Sequence, residues 1–233
     1  MEPTHIDLKR EQQATLARPQ YRYSAAARFF FWSMDVFAGR KTTLSKIKLL
    51  EMLASIPYRQ WEILLYARLT RRYRDTPWVQ QAERIVEWGR EAQDNEYWHL
   101  LVIQEKMKAD GLADAWYLTP PIPWLMVWTY VALARLLAFF SLRRAFLFNA
   151  EFEDHAEHSY AQFVAEHPEW ETQPVDHLLV PAVNSGEPAE HTDAATWADV
   201  FRRISLDERD HRNRSFVYAG KPEYVVSYPG MPE

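Results

Sequence analysis

Apolar and polar positions alternate with a helical rhythm through most of the chain, and strand-type alternation persists nowhere. The pattern predicts helices over 25–37, from just after Thr42-Thr43 to about Ser55, and over 60–73, 77–107, 143–166 and 195–215. Thr42 and Thr43 have the side chains that cap a helix start, and Pro57 is expected to separate the second helix from the third. Segment 122–142 is apolar almost throughout. Residues 1–22 carry Pro3, Pro19 and little periodicity, so they read as an extended arm. Residues 168–194, rich in Pro, Asp, Glu and Ser, read as a loop. The expected organisation is all-α: an arm at 1–22, one helical domain at 23–216 and a tail at 217–233.

Aromatic residues change this picture, because they are concentrated. The chain has 10 Trp, 12 Tyr and 12 Phe, and many fall in Ala25-Ala26-Ala27-Arg28-Phe29-Phe30-Phe31-Trp32 and in 122–142. The second segment is long enough to cross a bilayer. Arg135 interrupts it, Pro121 and Pro123 open it, and Trp124, Trp128 and Tyr130 crowd one end. Those residues fit a helix lying in the membrane interface better than a clean span, with a buried helix as a further alternative. The first twenty residues are polar and give no secretory signal or convincing organelle presequence. A net charge of -5 gives no reason to expect nucleic-acid binding. With no cysteine, disulfides, zinc–thiolate sites and iron–sulfur clusters are excluded, so any metal must be held by His, Glu and Asp. Such donors suit iron or manganese.

One short pattern occurs twice on predicted helices: Asn95-Glu96-Tyr97-Trp98-His99 and Asp207-Glu208-Arg209-Asp210-His211. A Glu three residues before a His puts carboxylate and imidazole on one side of a helix, within reach of one metal ion. Two such helices, each joined by a Glu from another helix, form the carboxylate-bridged di-iron site of ferritin-like four-helix bundles. Glu51 and Glu153 are the candidates for the two added carboxylates. The same spacing also occurs at Glu2 and His5, in a proline-containing terminus, which shows how often it arises by chance. A satisfied buried Glu–His pair, or a solvated one, is the alternative reading.

Four segments in order then resemble the alternative oxidases, including their plastid terminal oxidase branch: Leu50-Glu51-Met52-Leu53, Asn95-Glu96-Tyr97-Trp98-His99-Leu100, Phe152-Glu153-Asp154-His155-Ala156-Glu157-His158-Ser159-Tyr160 and Asp207-Glu208-Arg209-Asp210-His211. Together they span residues 50–211. The resemblance implies a ferritin-like bundle with interfacial, monotopic membrane helices and two iron ions. Glu51, Glu96, Glu153 and Glu208 would be carboxylate ligands, with Glu96 and Glu208 as bridges, and His99 and His211 would stand at the histidine positions. Asn95 and Asp207 would orient the histidines by hydrogen bonding. Tyr160 would be the tyrosine beside the iron pair, and Leu50, Ala156 and Ser159 would line the quinone pocket. The implied activity is quinol oxidation (ubiquinol or plastoquinol) coupled to reduction of dioxygen to water without proton pumping. The implied setting is membrane lipid at the cytoplasmic face of a bacterial inner membrane, with the chain as a homodimer.

Departures from the family pattern are also visible. Lys46 occupies the neighbourhood where the family has an Arg that contacts the quinone head group. His155 lies close to Glu153 in sequence but points well away from it on a helix, which suits a structural role or one that supports a metal ligand from behind; His158 is left unassigned. Arg68, Arg71, Arg72 and Arg74 are candidates for lipid headgroup contact or for a solvated helix end. Two other functions stay open: a di-iron hydroxylase acting on a quinone or lipid, and a ferritin-like iron-binding protein.

Overall fold

The computed structural model describes residues 6–175 and 194–231. His5 and most of the 168–194 loop lie outside them. The described residues form seven α-helices and no strand: α1 (Leu8–Ala17), α2 (Ala25–Ala38), α3 (Leu44–Arg72), α4 (Thr76–Ala109), α5 (Ile122–Phe140), α6 (Leu142–Glu166) and α7 (Trp197–Tyr218). The helices divide into two units. One comprises Met34–Ala145, and the other joins Met1–Ser33 to Phe146–Glu233. The expected 23–216 domain spans parts of both.

In the Met34–Ala145 unit, α3 and α4 form a long antiparallel hairpin. Each starts at a side-chain cap: Thr43 accepts from the Lys46 amide, and Asp75 accepts from the Trp78 amide. Gly39 ends α2 with φ +87°, the left-handed conformation that favours glycine, and its amide donates to the Asp35 carbonyl. At the α3–α4 interface Tyr58, Trp61 and Trp88 pack as a buried aromatic cluster, with ring centroids 5.1–5.6 Å apart. Pro57 does not break the chain in two as expected, because α3 runs through it from Leu44 to Arg72. Burial explains this: Leu53, Ala54 and Ile56 before Pro57, and Tyr58, Trp61 and Leu65 after it, all sit in the same core. That packing outweighs the ~3 kcal/mol cost of an interior proline.

Helix α5 packs on α3 by a narrow stripe, Tyr130, Ala134 and Ala138, at one-turn intervals. The Arg68 side chain donates to the Phe139 carbonyl at 3.4 Å. Trp124, Leu125, Trp128, Leu133, Leu136, Phe139 and Phe140 are exposed, so most of the helix surface is apolar and uncovered within the unit. It is the one helix among the described residues long and apolar enough to cross a membrane.

In the other unit α6 and α7 are antiparallel, and α1 packs against α7. The expected extended arm contains a helix: α1 is capped by Asp7, which accepts from the Arg10 amide. Its buried residues are Glu11, Gln12 and Thr15, so the face it packs is polar and leaves no apolar rhythm to read. Residues 18–24 follow as an extended segment along α6. After α7 the chain turns back, with the Val226 amide donating to Asn213 and the Tyr228 hydroxyl to Asp210.

Candidate metal centre

Each unit carries one buried cluster of two glutamates and a histidine. In the Met34–Ala145 unit, α3 supplies Glu51 and α4 supplies Glu96 and His99. One donor atom from each lies within 4.8 Å of the others. His99 Nδ1 is 3.3 Å from Glu51 Oε2 and 3.6 Å from Glu96 Oε2. Glu96 and His99 are completely buried, and Glu51 is 4 % exposed.

In the second unit α6 supplies Glu153, and α7 supplies Glu208 and His211. Their donor atoms also lie within 4.8 Å of one another, with His211 Nδ1 3.9 Å from Glu208 Oε2. All three are buried. The Asn149 amide donates to Glu153 Oε1 at 2.9 Å and to the Ser215 hydroxyl at 3.1 Å, tying the carboxylate to both helices.

Both clusters could hold a metal ion. Carboxylates brought together away from water repel each other, and a cation between them relieves that repulsion. Oxygen and nitrogen donors of this kind suit iron, manganese or zinc.

A third group, Asp154, Glu157 and His158, has metal-ligand composition but a different environment. Arg212 Nε lies 2.6 Å from Asp154 Oδ1, Arg209 Nε lies 2.8 Å from Glu157 Oε1, and Arg18 also pairs with Glu157. Three guanidinium groups neutralise these acids, so this is an ion-pair network. His158 bridges the Asp154 and Arg18 carbonyls through its two ring nitrogens, at 2.7 and 3.1 Å.

The remaining expected residues are distributed as follows. Tyr160 is buried on α6 with its ring 6.0 Å from Phe201. Asp207 is buried beside Arg203, at 3.0 Å, one turn earlier on α7. Asn95 is half-buried, and among the described residues its carbonyl oxygen has no hydrogen-bond partner. Leu50 belongs to one unit; Ala156 and Ser159 belong to the other, where the Ser159 hydroxyl donates to the His155 carbonyl. Lys46 is buried and donates to Asp35 at 2.6 Å and to the Gly39 carbonyl at 2.7 Å, so its ammonium secures the α2–α3 turn. The His155 ring stacks on Phe31 at 4.1 Å.

Sequence reasoning missed Asn149 and the network around Asp154 and Glu157. Asn149 stands one turn before Glu153, the spacing at which a helical side chain can brace a ligand, and that spacing is the signal that could have found it. Burial also shapes the surroundings: it pushes the Asp210 carboxyl up to about 6, although the Tyr228 hydroxyl donated to it acts the other way.

These features define an all-helical protein with buried carboxylate–imidazole clusters that can hold metal ions. The chain matches no protein-family model, and no curated protein matches it.

Proposed function

We propose that each of the two clusters binds iron, that the fold is of the ferritin-like type, and that the protein is a membrane-associated quinol oxidase of the alternative oxidase type. The observation that carries this reading is the repeated construction. Each antiparallel pair offers one Glu from one helix and a Glu-x-x-His from the other, all buried. The ordered resemblance across residues 50–211 supports the oxidase over other di-iron functions.

Iron bound there would supply the redox chemistry, passing electrons from two quinols to one dioxygen and yielding two quinones and two waters. The protein's own residues hold and orient. Glu51, Glu96, Glu153 and Glu208 balance the metal charge, and Asn149 fixes the Glu153 carboxylate. Tyr160 keeps a phenol in a dry interior as a source of one electron and one proton. The exposed apolar face of α5 supports contact with one membrane leaflet, where a lipid-soluble quinol resides. A soluble iron store has no use for such a surface.

Oxygen uptake by the iron-loaded protein in detergent with a short-chain quinol tests the proposal. One dioxygen consumed per two quinols, with quinone as the only organic product, is expected. A hydroxylated product would replace the oxidase by an oxygenase.

A further inference from the structure

Helix α7 buries an unusual number of charged side chains, and one of them stands next to a ligand. Arg209 follows Glu208 directly and is 1 % exposed. Its guanidinium is held from two sides. Towards α6, Nε donates to Glu157 Oε1 at 2.8 Å. Towards α1, Nη1 pairs with Glu11, while Nη2 donates to the Glu11 carbonyl at 3.1 Å and to the Thr15 hydroxyl at 2.8 Å. The Thr15 hydroxyl in turn donates to Glu157 at 2.8 Å, which closes the loop. Burial alone would lower the Arg209 guanidinium pKa, but Glu157 and Glu11 outweigh it and hold the group charged.

The second anchor of this fork also has a telling position. Glu157 lies one turn after Glu153 on α6, so the Arg209–Glu157 bond joins the neighbour of one candidate ligand to a residue one turn from another. The N-terminal segment reinforces the same acidic stripe. Thr15 and Arg18 hold Glu157, the Tyr21 amide and the Tyr23 hydroxyl hold Asp154 at 2.9 and 3.0 Å, and the Ser24 amide and hydroxyl hold Glu151 at 2.8 and 2.6 Å. Glu153 itself is bonded from the other direction, by Asn149.

We infer that Arg209, anchored by the N-terminal segment, is a positioning residue that fixes the rotation and register of α7 so that Glu208 and His211 meet Glu153 at metal-ligand distances. The physical reason is tolerance. A helix rotation of about 20° swings a side-chain tip by roughly 2 Å, given the helix radius, whereas metal–ligand distances tolerate only about 0.2 Å. A planar fork held on two sides resists that rotation, and a lysine cannot replace it because a single ammonium lacks the fork.

The inference rests on the metal-centre reading above, and the test separates the two. The full-length protein is stripped of metal and titrated with cobalt(II), whose visible spectrum reports ligand geometry. Arg209→Met is expected to bind cobalt at least tenfold more weakly than the wild type and to shift its spectrum, and Arg209→Lys to recover thermal stability more than cobalt affinity. Arg202→Met is the control: Arg202 is buried on the same helix and bonded to α1 through Gln12, but it stands six residues from Glu208. It should lose comparable stability while keeping affinity and spectrum. Glu11→Gln, a milder change remote in sequence from every ligand, should weaken cobalt binding several-fold and decides the matter if Arg209→Met does not fold. Unchanged affinity in Arg209→Met or Glu11→Gln, or an equal loss in Arg202→Met, overturns the positioning role. A wild-type protein that takes up no cobalt overturns the metal-centre reading itself.

Discussion

The two units build their clusters from the same parts and secure them by different means. Around Glu51, Glu96 and His99 the neighbours are apolar: Leu49, Leu53, Trp98, Val102 and Ile103 are buried, and a hairpin of 29- and 34-residue helices holds the register. Around Glu153, Glu208 and His211 the buried apolar residues Phe152 and Leu206 are joined by charged ones: Asp154, Glu157, Arg209 and Arg212 are buried within a web that reaches Glu11 and Arg18. The donor motif sets the chemistry, and the surroundings only have to keep it still. Non-directional packing does this over a long interface. Where the helices are shorter, directional ion pairs do it, at a desolvation cost that must be matched bond for bond.

The largest expected effect removes that distinction. Glu51→Ala and Glu153→Ala should each abolish stoichiometric metal binding, read by metal analysis of the purified protein; full metal content in Glu153→Ala would remove that residue from the ligand set. Next come substitutions that separate the two kinds of support. Asp154→Asn takes the nearer carboxylate from the buried Arg212 guanidinium, leaving it only Glu157 Oε2 at 4.0 Å, and should cost about 3 kcal/mol in urea unfolding. In the other unit Leu53→Ala should cost about 2–5 kcal/mol through the cavity it leaves. Asn149→Ala should weaken metal binding about tenfold through loss of the brace on Glu153, read by titration. The smallest effect is electrostatic and partly solvent-screened. Hydrogen bonding from Arg202, with Lys9 beside it, lowers the Glu171 carboxyl to about 2. Its folded value therefore lies below its unfolded one, so its stabilisation is present above about 4.5 and fades as pH falls towards 2. Glu171→Gln should lower stability by no more than about 1 kcal/mol at pH 7, and the difference should vanish in acid.

The same contrast governs what could be read from the chain. The apolar-supported half was legible: Thr43, the rhythm around Glu51 and the Glu96–His99 spacing placed its helices and its cluster, and only the passage of α3 through Pro57 was misread. That error came from treating proline as a local stop, when buried residues on both sides carried the helix on. In the charged half the pairing of Glu208 with His211 was also legible, because their spacing is a local property of one helix, while Glu153, on another helix, was reached only through the bundle pattern and the resemblance. Helix α1 and the Arg209 network were not. Their partners lie far apart in sequence, 198 positions for Glu11 and Arg209, and polar residues give no hydrophobic period.

The central claim is that both buried carboxylate–histidine clusters hold iron, and iron stoichiometry measured on the wild type and on Glu51→Ala and Glu153→Ala tests it most directly. Two irons per chain in the wild type, with loss of iron in each variant, is the predicted result. An iron-free wild type, or variants that keep both irons, would contradict it.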